Sequence, residues 1–221
     1  MTAESVRIAE ERSVLIEGPE AGGERIVLDA LFRAGHDREA GGVVIAPPHP
    51  LYGGSMESPV VTELAYAAAD AGLASLRFDW RGVGASRGRP SGDVDEHAAD
   101  FASAIEHLAE SVGGPLCAAG YSAGAAAAVR ASGAARVGRL LLVAPPVSML
   151  DAARLRAFEG RVLVVVGDSD RLASPESIGE IVEGLPRARL EVLAGTDHFF
   201  GAGLAGLGRI ARRWLGVRSV G

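Results

Sequence analysis

The sequence of 221 residues contains no lysine, no asparagine and no glutamine, so all 22 of its basic residues are arginines. Without lysine there is no Schiff-base amine, no anchor for pyridoxal phosphate and no P-loop lysine. Without asparagine there is no N-glycosylation sequon. A single cysteine, Cys117, excludes an internal disulfide framework and a cysteine-rich metal site. The five histidines, at 36, 49, 97, 107 and 198, include no H-E-x-x-H pattern, so no metal is expected. A net charge of −6 argues against nucleic acid as a partner. Apolar runs such as residues 140–146 are far too short to span a bilayer. Residues 1–13 lack the cationic start and apolar stretch of a secretory signal. The expectation is a soluble, cytoplasmic protein that engages no membrane.

What is present points to a folded enzyme-sized domain. A hydrophobic share of 48% over this length supports one domain, 1–221, with a sizeable core. The 30 glycines and 11 prolines predict many turns. Residues 13–17 and 26–33 read as an opening antiparallel pair joined by a turn at 18–23. Then follow short, almost wholly apolar runs at 42–46, 74–79, 116–120, 139–144, 161–167 and 189–193. Runs of this kind suit strands buried on both faces. Helical patterns lie between them, at 60–71, 93–111, 123–131, 175–185 and 204–215. His97, Phe101, Ile105 and Leu108 recur at helical spacing, and His97 and His107 are expected at or near the surface. The predicted fold class is α/β: a mostly parallel eight-stranded sheet with helices on both faces and no lid domain.

The sharpest motif is Gly120-Tyr121-Ser122-Ala123-Gly124. It fits G-x-S-x-G, with a buried strand before it and a helix of small residues after it. A nucleophilic serine at so tight a turn needs tiny residues two places away on each side, so that strand and helix can approach. The amide of Ala123, at the helix start, would face an oxyanion. A serine nucleophile needs a base, and the base needs an orienting carboxylate. His198 is the only histidine after Ser122, and it follows the last strand. Asp170 is the preferred acid, with Asp168 as second choice. Asp197 is too close in sequence to His198 to reach behind its ring. The loop after the third strand, residues 47–55, is the expected source of a second oxyanion amide. Pro50 has no N–H, so Leu51 is first choice and Tyr52 second, with His49 holding the loop.

The segments PPHPLYGGSM (47–56), LRFDWRGVGASRG (76–88), GYSAG (120–124), LLLVAPP (140–146), GDSDRLASP (167–175) and GTDHFF (195–200) together resemble the α/β-hydrolase superfamily. More narrowly, they resemble its small lid-less prokaryotic members, distantly similar to dienelactone hydrolases. The likeness runs from about residue 42 to 215. It implies a triad of Ser122, Asp170 and His198, with the Leu51 and Ala123 amides as oxyanion hole. Dienelactone hydrolases use a cysteine nucleophile where this chain has serine, and Cys117 is expected to be a buried apolar residue in the preceding strand. Asp79 and Arg81 are expected to pin loop structure. Only residues 145–160 occupy the place where capped relatives insert a lid. An open, shallow site follows, rimmed by Leu51, Tyr52, Val147, Met149 and Phe199.

The expected activity is hydrolysis of a small carboxylic ester through an acyl-enzyme, without metal or organic cofactor and with activity falling on the acid side as His198 gains a proton. A thioesterase or small peptidase on the same triad, and a binding protein that keeps only the fold, are the alternatives. A homodimer is the expected assembly if the apolar rim is covered.

Overall fold

The computed structural model describes residues 10–134 and 136–216. The short apolar runs become the middle of one sheet. Strands β3 (Gly42–Ala46) and β4 (Ala74–Phe78) are buried at every position, as is β5 (Leu116–Tyr121). With β6 (Val137–Val143), β7 (Arg161–Gly167) and β8 (Ala188–Leu193) they form the parallel part of the sheet. Val44 is in register with Leu76 on one side and Ala118 on the other. The hairpin of β1 (Arg12–Ala21) and β2 (Glu24–Arg33) adds antiparallel strands at one end, giving the order β1-β2-β4-β3-β5-β6-β7-β8. All eight expected strands are present.

The hairpin corrects one expectation. Residues 18–21 are strand, not turn, and the chain reverses only at Gly22-Gly23, both with positive φ (61° and 82°). Two adjacent glycines supply the two-residue turn whose twist matches the strands. The register slips between Glu17 and Glu20, so Gly18 and Pro19 are absorbed as an irregularity. A proline is tolerated there because β1 is an edge strand.

The helices are α1 (Pro59–Asp70), α2 (Val94–Ser111), α3 (Ala123–Arg130), α4 (Ala152–Ala157), α5 (Pro175–Val182) and α6 (Leu204–Gly216). The α1 helix packs on α6, and α2 packs on α3. Asp93 caps α2 by accepting from the Asp95 amide at 2.8 Å. Ser174 caps α5, with Pro175 in the first turn. Every side chain from Ala123 to Val129 is buried, and their small size lets α3 lie close over the sheet. Segment 145–160 holds only the six-residue α4, and no lid. No described helix is long and apolar enough to cross a membrane.

One histidine lies deeper than expected. His97 is fully buried, stacked on Trp80 with ring centroids 4.7 Å apart. Its helix face carries it beneath the 47–55 loop, where Nε2 meets the Ser91 carbonyl oxygen at 2.8 Å.

Candidate active site

The chain leaves β5 into a turn that only this sequence pattern permits. Ser122 has φ 55° and ψ −120°, a conformation that costs a non-glycine residue on the order of 1–3 kcal/mol. The surroundings hold it there: its amide donates to the Val143 carbonyl at 2.8 Å, and the Ala125 amide donates back to the Ser122 carbonyl at 2.9 Å. A side chain at Gly120 would strike the Gly124 carbonyl. A Cβ at Gly124 would lie 2.5 Å from the carbonyl oxygens of both Ala46 and Pro47. The two glycines of the motif are therefore sites of close backbone approach.

The elbow lifts Ser122 Oγ to 3.0 Å from His198 Nε2. His198 Nδ1 lies 2.8 Å from Asp170 Oδ2. The three side chains come from the loops after β5, β7 and β8, so they meet at the carboxyl ends of the parallel strands. Asp170 Oδ1 accepts from the amides of Leu172 (2.8 Å) and Ala173 (2.9 Å). Burial works to raise the Asp170 pKa. The hydrogen bond from His198, the two amides and the His198 charge outweigh it, leaving Asp170 below the ordinary aspartate value.

Asp168 has a different place. Its carboxylate accepts from the amides of Gly195 (2.9 Å) and Thr196 (3.1 Å), and these hydrogen bonds lower its pKa. It ties the turn after β7 to the loop that carries His198. Tyr121 holds that loop from the other side, its hydroxyl donating to the His198 carbonyl at 2.9 Å. Burial first, then the nearby charges of Asp170 and Asp197, push the Tyr121 hydroxyl up to about 12. The Asp197 side chain accepts from the Phe199 amide and makes a local turn. Cys117 is fully buried, with burial raising its thiol to about 11, so it offers no thiolate nucleophile.

The facing wall is the 47–56 loop, and here the Leu51 expectation needs correction. The Leu51 amide donates to His49 Nδ1 at 3.2 Å. The amides of Tyr52 and Gly54 donate to the His49 carbonyl, and that of Gly53 to the Pro50 carbonyl. A short 3₁₀ turn over Pro50–Tyr52 thus consumes its own donors, with His49 as its cap. The loop is pinned at both ends, by Trp80 Nε1 donating to the Pro48 carbonyl (2.9 Å) and by the Met56 amide donating to Asp79 Oδ1 (2.7 Å). Arg81 grips the buried Asp100 carboxylate instead of facing the site. Ala123 is better placed than Leu51: its amide opens α3, where the first N–H groups have no intrahelical acceptor.

A cavity of about 720 Å³ opens over Ser122 and His198. Tyr52 and Phe199 line it. Leu51, Val147 and Met149 do not. The Leu51 side chain is largely exposed. Val147 and Met149 belong to the turn after β6, where the Val147 amide donates to the Leu172 carbonyl and the Met149 amide to the Pro146 carbonyl. Leu172 therefore takes the wall position in their stead. Pro59, Val60 and Tyr121 complete the apolar lining, and residue spacing gave no sign of the first two. Leu172 was hinted at by its place two residues after Asp170. Among the described residues no aspartate, glutamate or arginine lines this cavity, and no cluster able to hold a metal ion exists.

Known proteins share this arrangement of chain. Residues 51–155 match the family model of serine aminopeptidases, S33. An alpha-beta serine hydrolase homologue from Coxiella burnetii is 30% identical, superposes with a TM-score of 0.82, and the match covers 92% of this chain and 97% of that one. The chain belongs to the α/β-hydrolase superfamily. An α/β serine hydrolase without lid from Xanthomonas campestris is 27% identical at TM-score 0.80, over 95% of this chain and 97% of that one. An uncharacterized protein of Rickettsia prowazekii is 28% identical over 171 residues, 71% of each chain. As a superfamily member with these neighbours, the chain is a serine hydrolase of lid-less form.

Proposed function

We propose that this serine hydrolase is a carboxylic-ester hydrolase that works through an acyl-enzyme on Ser122. One observation carries the reading: Ser122, His198 and Asp170 form a continuous hydrogen-bonded series, at 3.0 and 2.8 Å, beneath a cavity to whose wall the described residues bring no aspartate, glutamate or arginine. His198 takes the Ser122 proton as Oγ attacks the acyl carbon. Asp170 holds the ring with Nδ1 protonated and stabilises the cation. The Ala123 amide donates to the oxyanion. His198 then returns the proton to the departing alcohol, and water repeats the sequence on the acyl-enzyme. The products are the free acid and the alcohol.

The family model's description suggests a second reading, removal of an N-terminal residue from a peptide. An aminopeptidase must seat a protonated amine, and desolvating that charge without a carboxylate partner is costly. The described residues place no carboxylate on the cavity wall, which favours neutral acyl groups instead. A fluorophosphonate probe tests the nucleophile: it is expected to label the wild type and not Ser122→Ala. Rates on matched oxygen ester, thioester and aminoacyl amide test the substrate class, with the oxygen ester expected fastest. Labelling that survives Ser122→Ala overturns the nucleophile. An amide turned over as fast as the ester overturns the substrate class.

A further inference from the structure

A second cavity, of about 490 Å³, lies on the outer edge of the sheet, at the start of β7 and along β8. The active-site loops leave the opposite ends of these strands. Arg161, Arg187, Arg189 and Arg213 line it with Trp214 and one acid, Glu191. Arg161 lies over the Trp214 ring at 4.5 Å. Arg189 and Arg213 both pair with Glu191, and each keeps nearly two thirds of its side chain exposed. The groove therefore carries three positive charges in excess, on a protein of net charge −6.

Beside this groove runs an open strand edge. β8 pairs with β7 alone among the described residues. The Arg187 and Leu193 carbonyls accept from β7-side amides, those of Val162 and Asp168. In an extended strand the alternate residues then turn their backbone groups outward, so Leu190 and Val192 offer N–H and C=O to an incoming chain. The opposite edge is defended: β1 carries Pro19 and a register slip. β8 has neither, and Val192 is half exposed. The charges of β8, Arg189 and Glu191, guard it against an indiscriminate partner, but without a proline or a slip its backbone stays regular enough to pair.

We propose that β8 and its arginine groove dock an extended acidic polypeptide segment of another protein as a ninth strand. Its backbone pairs with Leu190 and Val192. Its alternate side chains, on the α6 side, place carboxylates against Arg189, Arg213 and Arg161. The strand alone would also accept a second copy, since antiparallel pairing about Leu190 sets Arg189 opposite Glu191 of that copy. That arrangement, however, brings two groove cations sets together with only two glutamates, and like charge disfavours it. A basic groove selects an acidic strand.

The test uses a fluorescein-labelled eight-residue peptide of alternating glutamate and valine, read by anisotropy and by tryptophan emission. Trp80, the other tryptophan, is fully buried, so Trp214 is the responsive reporter. Binding is expected to shift Trp214 emission and to weaken as salt rises from roughly 0.05 to 0.3 M. Affinity is expected to fall at least ~10-fold in Arg189→Glu/Arg213→Glu, and also in Val192→Pro, which removes an outward amide; thermal melts establish that both variants are folded. A peptide N-methylated on alternate residues should not bind. The proposal is overturned by no binding to the wild type, by equal binding of the N-methylated peptide or of an eight-nucleotide uridine oligomer, by inorganic pyrophosphate competing as strongly as the peptide, or by sedimentation showing that β8 is already closed in a dimer that Val192→Pro dissolves.

Discussion

Ser122 sits between two walls built on opposite terms. Behind it, the elbow and the loops after β7 and β8 commit their polar groups to one another across the site: Asp170 to His198, His198 to Ser122, Asp168 to the backbone of Gly195 and Thr196. In front, the 47–56 loop spends the amides of Leu51 to Gly54 on itself, with His49 accepting from Leu51. The rear wall holds its side chains aligned on one another. The front wall is organised for its own integrity, and lends the site shape and apolar surface. The contrast shows where backbone strain is tolerated: a costly serine conformation is held by the sheet behind it, whereas the loop in front relaxes into a capped turn.

The largest effect is expected where the two walls touch. Gly124 packs against the Ala46 and Pro47 carbonyls, where the front loop begins. Gly124→Ala is expected to lower stability by about 3 kcal/mol or more, roughly 6–12 °C in melting temperature for a chain this size, and to abolish probe labelling. A calorimetric scan checks it, and an unshifted melt would mean that the walls do not meet as described.

The two aspartates divide the rear wall. Asp170→Asn is expected to cut kcat on the order of 10³–10⁴-fold, because the amide no longer selects the ring tautomer that leaves Nε2 free. Asp168→Asn is expected to cost only on the order of 10–10²-fold, through a displaced His198 loop. Steady-state kinetics on one ester compares them; equal losses would erase the distinction between orienting the ring and anchoring its loop.

The same pair sets an acid limit on stability. Both carboxylates titrate below the ordinary aspartate value in the native state. On acidification the unfolded chain takes up protons first. Their stabilisation is thus complete above the unfolded pKa of about 3.9 and is lost as pH falls through the lower native values. Melting temperature is expected to decline as pH falls below about 4, and less steeply in Asp168→Asn. Parallel slopes in the two proteins would remove Asp168 as a contributor.

The smallest effect concerns the front wall. His49→Ala deletes the cap on Leu51 and is expected to cost about 1 kcal/mol of stability. It also frees the Leu51 amide to serve an oxyanion beside that of Ala123, so kcat/KM is expected to rise a few-fold (under ~1 kcal/mol of barrier). A fall of more than tenfold would show that His49 shapes the loop for catalysis, and the contrast between the walls would blur.

Much of this was written into the chain's local pattern. Five apolar runs and the intervening helical periodicity specified the middle of the parallel sheet, because strands covered on both faces need continuous apolar sequence; the sixth, at 189–193, became the edge strand β8, with Arg189 and Val192 exposed. The G-x-S-x-G motif and the single downstream histidine marked out Ser122 and His198. The Gly18–Pro19 segment misled, because turn-forming residues also serve as edge-strand irregularities, and only pairing with β2 tells the two apart. His97 misled because helical spacing shows which residues share a face and not what covers that face.

What the sequence determined by itself was therefore whatever depends on near neighbours: the strand runs, the elbow, the chain order of serine, aspartate and histidine. What only the tertiary structure decided was whatever depends on which distant groups meet. Asp168 and Asp170 stand two residues apart with the same chemistry, yet one reaches the imidazole and the other a backbone turn 27 residues away. Leu51, Val147 and Met149 read as rim residues, but none of the three lines the cavity: the Leu51 amide is held by His49 in a turn of the front loop, and Val147 and Met149 are tied to Leu172 and Pro146. The physical reason is common to all of these: a hydrogen bond is directional and short, so an error of one residue in register or one turn in a loop reassigns it, while apolar burial tolerates the same error.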